Sequence, residues 1–215
     1  LSSSYGHLDS GWKYQYDKYN DVNRWVPLNG DCAGIYARTD STNDPWWSGA
    51  GYTRGQVKNV IKLSYSPNKS HRDQLYQQGI NPVVTFVGEG TILYGDKTLQ
   101  TKPSAFDRIN VRRLFIYVEK VLAATSKYVL FEFNDEITRS YVKNLYEPIL
   151  RQIQGQRGVA QFFVKIDESN NNAAVIEANK LVADVYIQPN YSINFIAINM
   201  IAEKSGSTVF SETES

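Results

Sequence analysis

His7 and His71 are the only histidines of this 215-residue chain, and Cys32 is its only cysteine. Nucleophilic or metal chemistry would have to be assembled from these three and nearby carboxylates. A Cys32–His71 pair would give an activated thiolate, but its flanks carry no supporting signature. There is no HExxH or CxxC spacing to hold zinc, and the isolated histidines read as surface residues. Gly88, Gly90 and Gly95 match neither GxGxxG nor a phosphate loop, and no GK[ST] follows, so a tight hairpin explains them. Asp135 and Glu136 adjoin each other, whereas paired acid–base catalysis needs carboxylates converging from opposite sides of a substrate. At a helix start they favour the dipole instead. No catalytic residue, metal ligand or cofactor is expected. The alternative is an enzyme of unknown type using the Gly88–Gly90 loop or Cys32.

The cations are the other candidates. Arg112, Arg113, Arg139, Lys143 and Arg151 can grip phosphates, but a nucleic-acid surface adds a stronger basic excess and exposed stacking aromatics. The net charge is only +1, so neither nucleic acid nor an anionic membrane is expected as a partner. The charge is unevenly placed: residues 108–157 hold nine Lys/Arg against five Asp/Glu, and residues 158–215 hold three against seven. This pattern reads either as solvated helix faces beside acidic loops or as complementary surfaces that meet in neighbouring copies.

The elements that carry these cations are legible. Val111, Leu114, Phe115, Val118, Val121 and Leu122 recur at helical spacing and predict an amphipathic helix over 110–125, with Arg112, Arg113 and Lys120 largely off the apolar stripe. Tyr128 to Phe133 alternates at strand period, and Asn134 can cap the next helix. That helix, 135–154, has an apolar face at Val142, Leu145, Tyr146, Ile149 and Ile153. Its second row is Arg139, Lys143, Glu147 and Arg151 at i, i+4 spacing, and Pro148 should kink it. The stretch is built to hold charged helices on a sheet, which points to assembly rather than chemistry.

Elsewhere, residues 1–24 read as an irregular, aromatic lead-in. Asp31 can cap a short helix through Arg38, and Asn43–Gly51 is a loop whose Trp46 and Trp47 belong either to a core edge or to a subunit contact. Val57–Leu63 reads as a strand and Asn68–Gln78 as a helix closed by Gly79. Strands at 82–86 and 91–94 flank the Gly88–Glu89–Gly90 turn. Val159–Ile166 is a further strand, a short helix ends near Lys180, and 181–188 with 193–202 should form a hairpin. The fold class is α+β: a mixed sheet flanked by helices, with an extended C-terminal arm. No apolar run approaches the ~20 residues needed to span a bilayer, and a single cysteine excludes an intrachain disulfide. After Gly206, residues Ser207, Val209 and Ser211 alternate with Thr208, Phe210 and Glu212. Residues 205–215 are therefore a frayed end or a strand donated to another subunit's sheet.

Five ordered segments carry a resemblance. They are Trp25-Val26-Pro27 with Ala33 to Asp40, Gly79-Ile80-Asn81-Pro82, Gly95-Asp96-Lys97-Thr98-Leu99, Ile109 to Phe115, and Phe131-Glu132-Phe133-Asn134-Asp135-Glu136. From about residue 25 onward the chain resembles the C-terminal domain of contractile tail sheath proteins of myophages and related injection machines. The resemblance implies a domain over 25–204 and an arm over 205–215. It also implies a virion subunit, assembled in the host cytoplasm, that stacks with itself as hexameric rings around a tail tube and meets baseplate and tail terminator proteins. Tube-facing candidates are Arg112, Arg113, Lys120, Arg139, Lys143 and Arg151. The donated strand would be Ser207, Thr208, Val209, Phe210, Ser211 and Glu212. Such proteins carry an N-terminal arm and often inserted domains. Neither is visible here, the chain starts at Leu1 and Met200 is its only methionine, so a part of a longer protein is expected. Another tail or baseplate component is the nearer alternative.

Overall fold

The computed structural model describes residues 2–194, 196 and 197. Strand β1 (Leu8–Asp9) precedes a hairpin of β2 (Trp12–Asp17) and β3 (Val22–Pro27), in register from Trp12 opposite Pro27 to Asp17 opposite Val22. This corrects the irregular lead-in expected for residues 1–24. Hydrophobic alternation misses the hairpin because it rests on polar and aromatic pairing. Tyr14 packs on Trp25 with ring centroids 5.0 Å apart, and Lys13, only 3% exposed, points inward to an ion pair with Asp31 at 2.7 Å. A buried lysine is tolerated only when paired in this way.

Helix α1 (Asn29–Thr42) follows, with Leu28 at its N-cap position. Asp31 therefore sits in the first turn and answers Lys13 rather than capping. The strand expected over 57–63 is reduced to β4 (Lys62–Leu63), which pairs with β2. Asn59, at a φ of 54°, turns the chain out of the extended region. Helix α2 (Lys69–Gln77) is capped by the Asn68 side chain, and Gly79, at positive φ, ends it as predicted. Strand β5 (Ile80–Asn81) pairs in parallel with β1. Strands β6 (Val83–Phe86) and β7 (Gly90–Leu93) form the expected hairpin, with Gly88 and Gly90 supplying the positive φ of its turn.

Helix α3 (Ile109–Ser126) and helix α4 (Glu136–Gly155) match the predicted periodicity. Between them the expected strand 128–133 is absent: a 3₁₀ turn over Lys127–Val129 leads into a loop with Phe131 at a φ of 74°. Alternation makes a stable strand only beside a partner strand, and no described strand lies there. The α4 cap is Asp135, which accepts from the Thr138 N–H, while Asn134 donates to the Lys180 carbonyl. Strand β8 (Val159–Lys165), helix α5 (Ala173–Glu177) and strand β9 (Asp184–Pro189) complete the order. β9 pairs antiparallel with β8, and most of the strand expected over 193–202 lies outside the described residues. Of that stretch residues 193, 194, 196 and 197 are described and lie outside any strand.

The chain is mixed α+β, as expected, but the described strands divide among four small sheets. Two cores result. Leu28, Cys32, Ile35, Val83, Leu93 and Ile109 pack α1 on the β6–β7 hairpin. Leu114, Val118, Val142, Leu150, Val159 and Val164 pack α3 and α4 on β8–β9, with Trp46 buried among them. Helix α3 thus enters one core through Ile109 and the other through Leu114 and Val118.

Candidate assembly interface

The Cys32–His71 pair, which the sequence did not favour, does not form: His71 bonds Tyr65, while Cys32 is fully buried. The structure instead brings His7, Asp9 and Cys32 together, with His7 Nδ1 3.1 Å from an Asp9 carboxylate oxygen. The order of residue types resembles a catalytic constellation, but its electrostatics oppose one. Burial, followed by the Asp9 charge, pushes the Cys32 thiol far up and holds it protonated, and the thiolate is the reactive form. The Asp9 hydrogen bond raises the His7 pKa against the lowering effect of burial. Among the described residues no three His, Cys, Asp or Glu side chains converge as metal ligands would.

The basic side chains separate by partner. Arg112 stacks 3.9 Å over the Phe106 ring and 4.4 Å over Tyr5, and donates to Ser4 Oγ at 2.7 Å. Arg113 forms an ion pair with Asp40 at the end of α1. These two arginines fasten α3 to the segment before β1 and to α1. Arg139 is buried and donates to the Asp135 carbonyl. Lys120 is exposed. Lys143 and Arg151 flank Glu147 at 3.9 and 3.2 Å on the outer row of α4, as the spacing predicted. Such exposed pairs are worth ~0.3–0.5 kcal/mol and yield readily to another partner.

The donated-strand candidates Ser207, Thr208, Val209, Phe210, Ser211 and Glu212 lie outside the described residues. Among the described strands β8 and β9 pair only with each other, and an unpartnered strand edge is where a further strand can add.

Two further surfaces escaped sequence reasoning. The turn between α3 and α4 exposes Phe131, Phe133 and Ile137 at 104%, 84% and 80%, beside Glu132, Asp135 and Glu136. The failed strand pattern was its only signal. At the other end of α4 lies a cleft of about 950 Å³ lined by Trp46, Trp47, Arg54, Arg72, Tyr76 and Arg157, among others. The Arg54 and Arg157 guanidiniums lie 5.1 and 5.5 Å from the Trp47 ring. Asp96 on its floor is 2% exposed and answered by Arg108, Ser48 and Ser192. Burial, with Asp96 second, pushes the Tyr76 phenol up to about 12.

Residues 1–99 match the model of the phage tail sheath protein central domain, and residues 101–203 match that of the phage tail sheath C-terminal domain. The chain is 53% identical over 202 residues to the tail sheath protein of Vibrio phage KVP40, covering 94% of this chain and 30% of that protein. It is 49% identical over 206 residues to the tail sheath protein of Enterobacteria phage T4, covering 96% and 31%. The chain therefore spans about 30% of the length of these curated relatives. Its fold is similar to the sheath of an extracellular contractile injection system in the contracted state, with a TM-score of 0.84 at 21% identity over 94% of this chain and 57% of that one.

Proposed function

This chain belongs to the phage tail sheath family, and we propose that it is part of a structural subunit of a contractile tail. Copies stack with one another as hexameric rings around a rigid tail tube, and contraction of the stack drives the tube through the host envelope. The subunit is a virion component assembled in the host cytoplasm. Besides itself, it meets the tube protein, the baseplate and the tail terminator. The observation that carries this reading is that the family likeness runs through both halves of the chain, including the turn and helix that follow Phe131.

The physical requirements agree with it. Contraction needs two packings of the same units that differ in total contact energy, with a barrier between them. The units must also stay connected while contacts slide. A strand laid on the open edge of β8–β9 does this, because main-chain hydrogen bonds hold it in register. In this reading residues 25–204 are the body, joined to 1–24 through β1 and β2, and 205–215 are the arm. Tube contact must release all at once, which suits weak, salt-screened charges. The exposed Lys120 and Arg151 and the half-exposed Lys143 are the strongest of the tube-facing candidates. Arg112, Arg113 and Arg139 support them through the intramolecular contacts described above.

The test is reversal of Lys143 and Arg151 to glutamate in the full-length protein, assembled with its tube. Extended sheaths that shorten at lower salt than the wild type are expected. Extended sheaths of unchanged stability at low and high salt would remove these residues from the tube contact. Single rings in place of long tubes would favour a baseplate component.

A further inference from the structure

Two surfaces at opposite ends of α4 are complementary in chemistry and cannot meet within one chain. The acidic, aromatic turn lies at the N-terminal end of this 20-residue helix, and the basic, aromatic cleft lies at its C-terminal end. A helix of that length places them about 30 Å apart, at ~1.5 Å per residue.

The turn is costly as it stands. Phe131, Phe133 and Ile137 expose nearly their whole side chains within one short segment, where a soluble surface usually scatters single apolar residues. Glu132, Asp135 and Glu136 are also exposed there. Hydrogen bonds from Thr138 hold Asp135 below the usual carboxylate range, so it stays charged.

The cleft is the counterpart. Arg54, Arg72 and Arg157 line it, and none has a carboxylate within ion-pairing distance among the described residues. Their only described ring partners are Trp47 for Arg54 and Arg157, and Phe86 and Tyr94 for Arg72. Of the carboxylates in the cleft, Asp73 is exposed at its rim and Asp96 is already answered by Arg108. Cations collected around aromatic rings without counter-ions suit an incoming acidic segment with aromatic side chains.

We infer that the Phe131–Ile137 turn of one copy docks in the Trp47/Arg54/Arg157 cleft of a second copy. The inference rests on the sheath reading and adds a specific contact to it. Because donor and acceptor lie at opposite ends of one subunit, the interface is heterologous. Repetition of such a contact builds rings or open helices rather than closed dimers. A fixed rotation and rise between copies follows from the angle at which the turn enters the cleft.

A complementary pair of full-length variants tests it. In one, Glu132→Lys and Glu136→Lys make the turn basic. In the other, Arg54→Glu and Arg157→Glu make the cleft acidic. Each alone sets like charge against like, and the critical concentration for tubes should rise at least about tenfold. Mixed one to one, the basic turn of the first fits the acidic cleft of the second, and the unaltered pair also fits. Tubes should return to within about threefold of the wild-type threshold. The neutral changes Glu132→Gln and Arg157→Gln guard against misfolding. Each should raise the threshold about threefold, and the two together hardly further, because one contact is lost only once.

Variants that polymerise alone like the wild type would overturn this contact and leave the sheath reading standing. Folded variants that stay apart when mixed, beside a wild type that forms tubes, would overturn it equally. A wild type that forms no tubes under any salt would remove the sheath reading, and the contact with it.

Discussion

Trp46 donates its indole N–H to the carbonyl of Gln156 at 3.1 Å, across 110 positions of sequence. One partner lies in the loop after α1 and the other just beyond α4. Trp46 is also 6% exposed inside the core of α3, α4 and β8–β9, and its ring meets Tyr117 edge-on at 5.4 Å. A residue from the first half of the chain thus completes the core of the second half, so the two halves should unfold together.

Trp46→Phe keeps an aromatic ring but leaves the Gln156 carbonyl unpaired. A loss of about 1 kcal/mol is expected from the missing hydrogen bond. Trp46→Ala should cost about 3–5 kcal/mol. Urea unfolding followed by tryptophan fluorescence and by far-UV circular dichroism should give coincident transitions. Two separated transitions in the wild type would contradict the shared core.

Gly158 follows α4 where the chain turns into β8, and a Cβ there would lie 2.8 Å from Ile153 Cγ2 and 3.0 Å from the Trp46 ring. Gly158→Ala should therefore overpack the same core and cost about 1–3 kcal/mol. A thermal midpoint equal to the wild type's would show that Trp46 has room to move.

The His7–Asp9 pair predicts a pH dependence with a definite sign. The His7 pKa is raised above 6.5 in the folded chain, chiefly by the Asp9 hydrogen bond. Its stabilising contribution is therefore full below pH 6.5 and is lost as pH rises through the folded value. Urea midpoints should fall between about pH 6 and about pH 8, the range in which histidine titrates, and Asp9→Asn should flatten that slope. An unchanged slope in the variant would assign it to another group.

Cys32 should be chemically silent in the native state, because burial holds its thiol protonated. A thiol reagent should label it only after unfolding by denaturant. Rapid native labelling would reopen the case for a reactive cysteine.

Helices α3 and α4 were legible in the sequence because their apolar spacing and their burial coincide: Val111, Leu114 and Val118 on one, Val142, Tyr146 and Ile153 on the other. The β6–β7 hairpin was legible through Gly88 and Gly90, whose positive φ the turn requires. The β2–β3 hairpin was hidden because its inward side chain at position 13 is a lysine, acceptable only through Asp31, which lies 18 residues away. The Tyr128–Phe133 alternation promised a strand, but a strand needs a partner beside it, and none of the described strands pairs with this segment. The cleft was invisible because Trp47, Arg54, Arg72 and Arg157 come from separate segments. Of the tandem tryptophans at 46 and 47, Trp46 is buried in the core, and half-buried Trp47 packs against that core where it lines the cleft.

The most direct measurement is negative-stain electron microscopy of the full-length protein beside the same protein truncated after Lys204. The account predicts long helical tubes from the full-length protein and only unassembled subunits from the truncation, because the arm that bridges neighbouring sheets is gone. Tubes formed equally well by both would contradict the donated strand, and a full-length protein that never polymerises would contradict the sheath subunit itself.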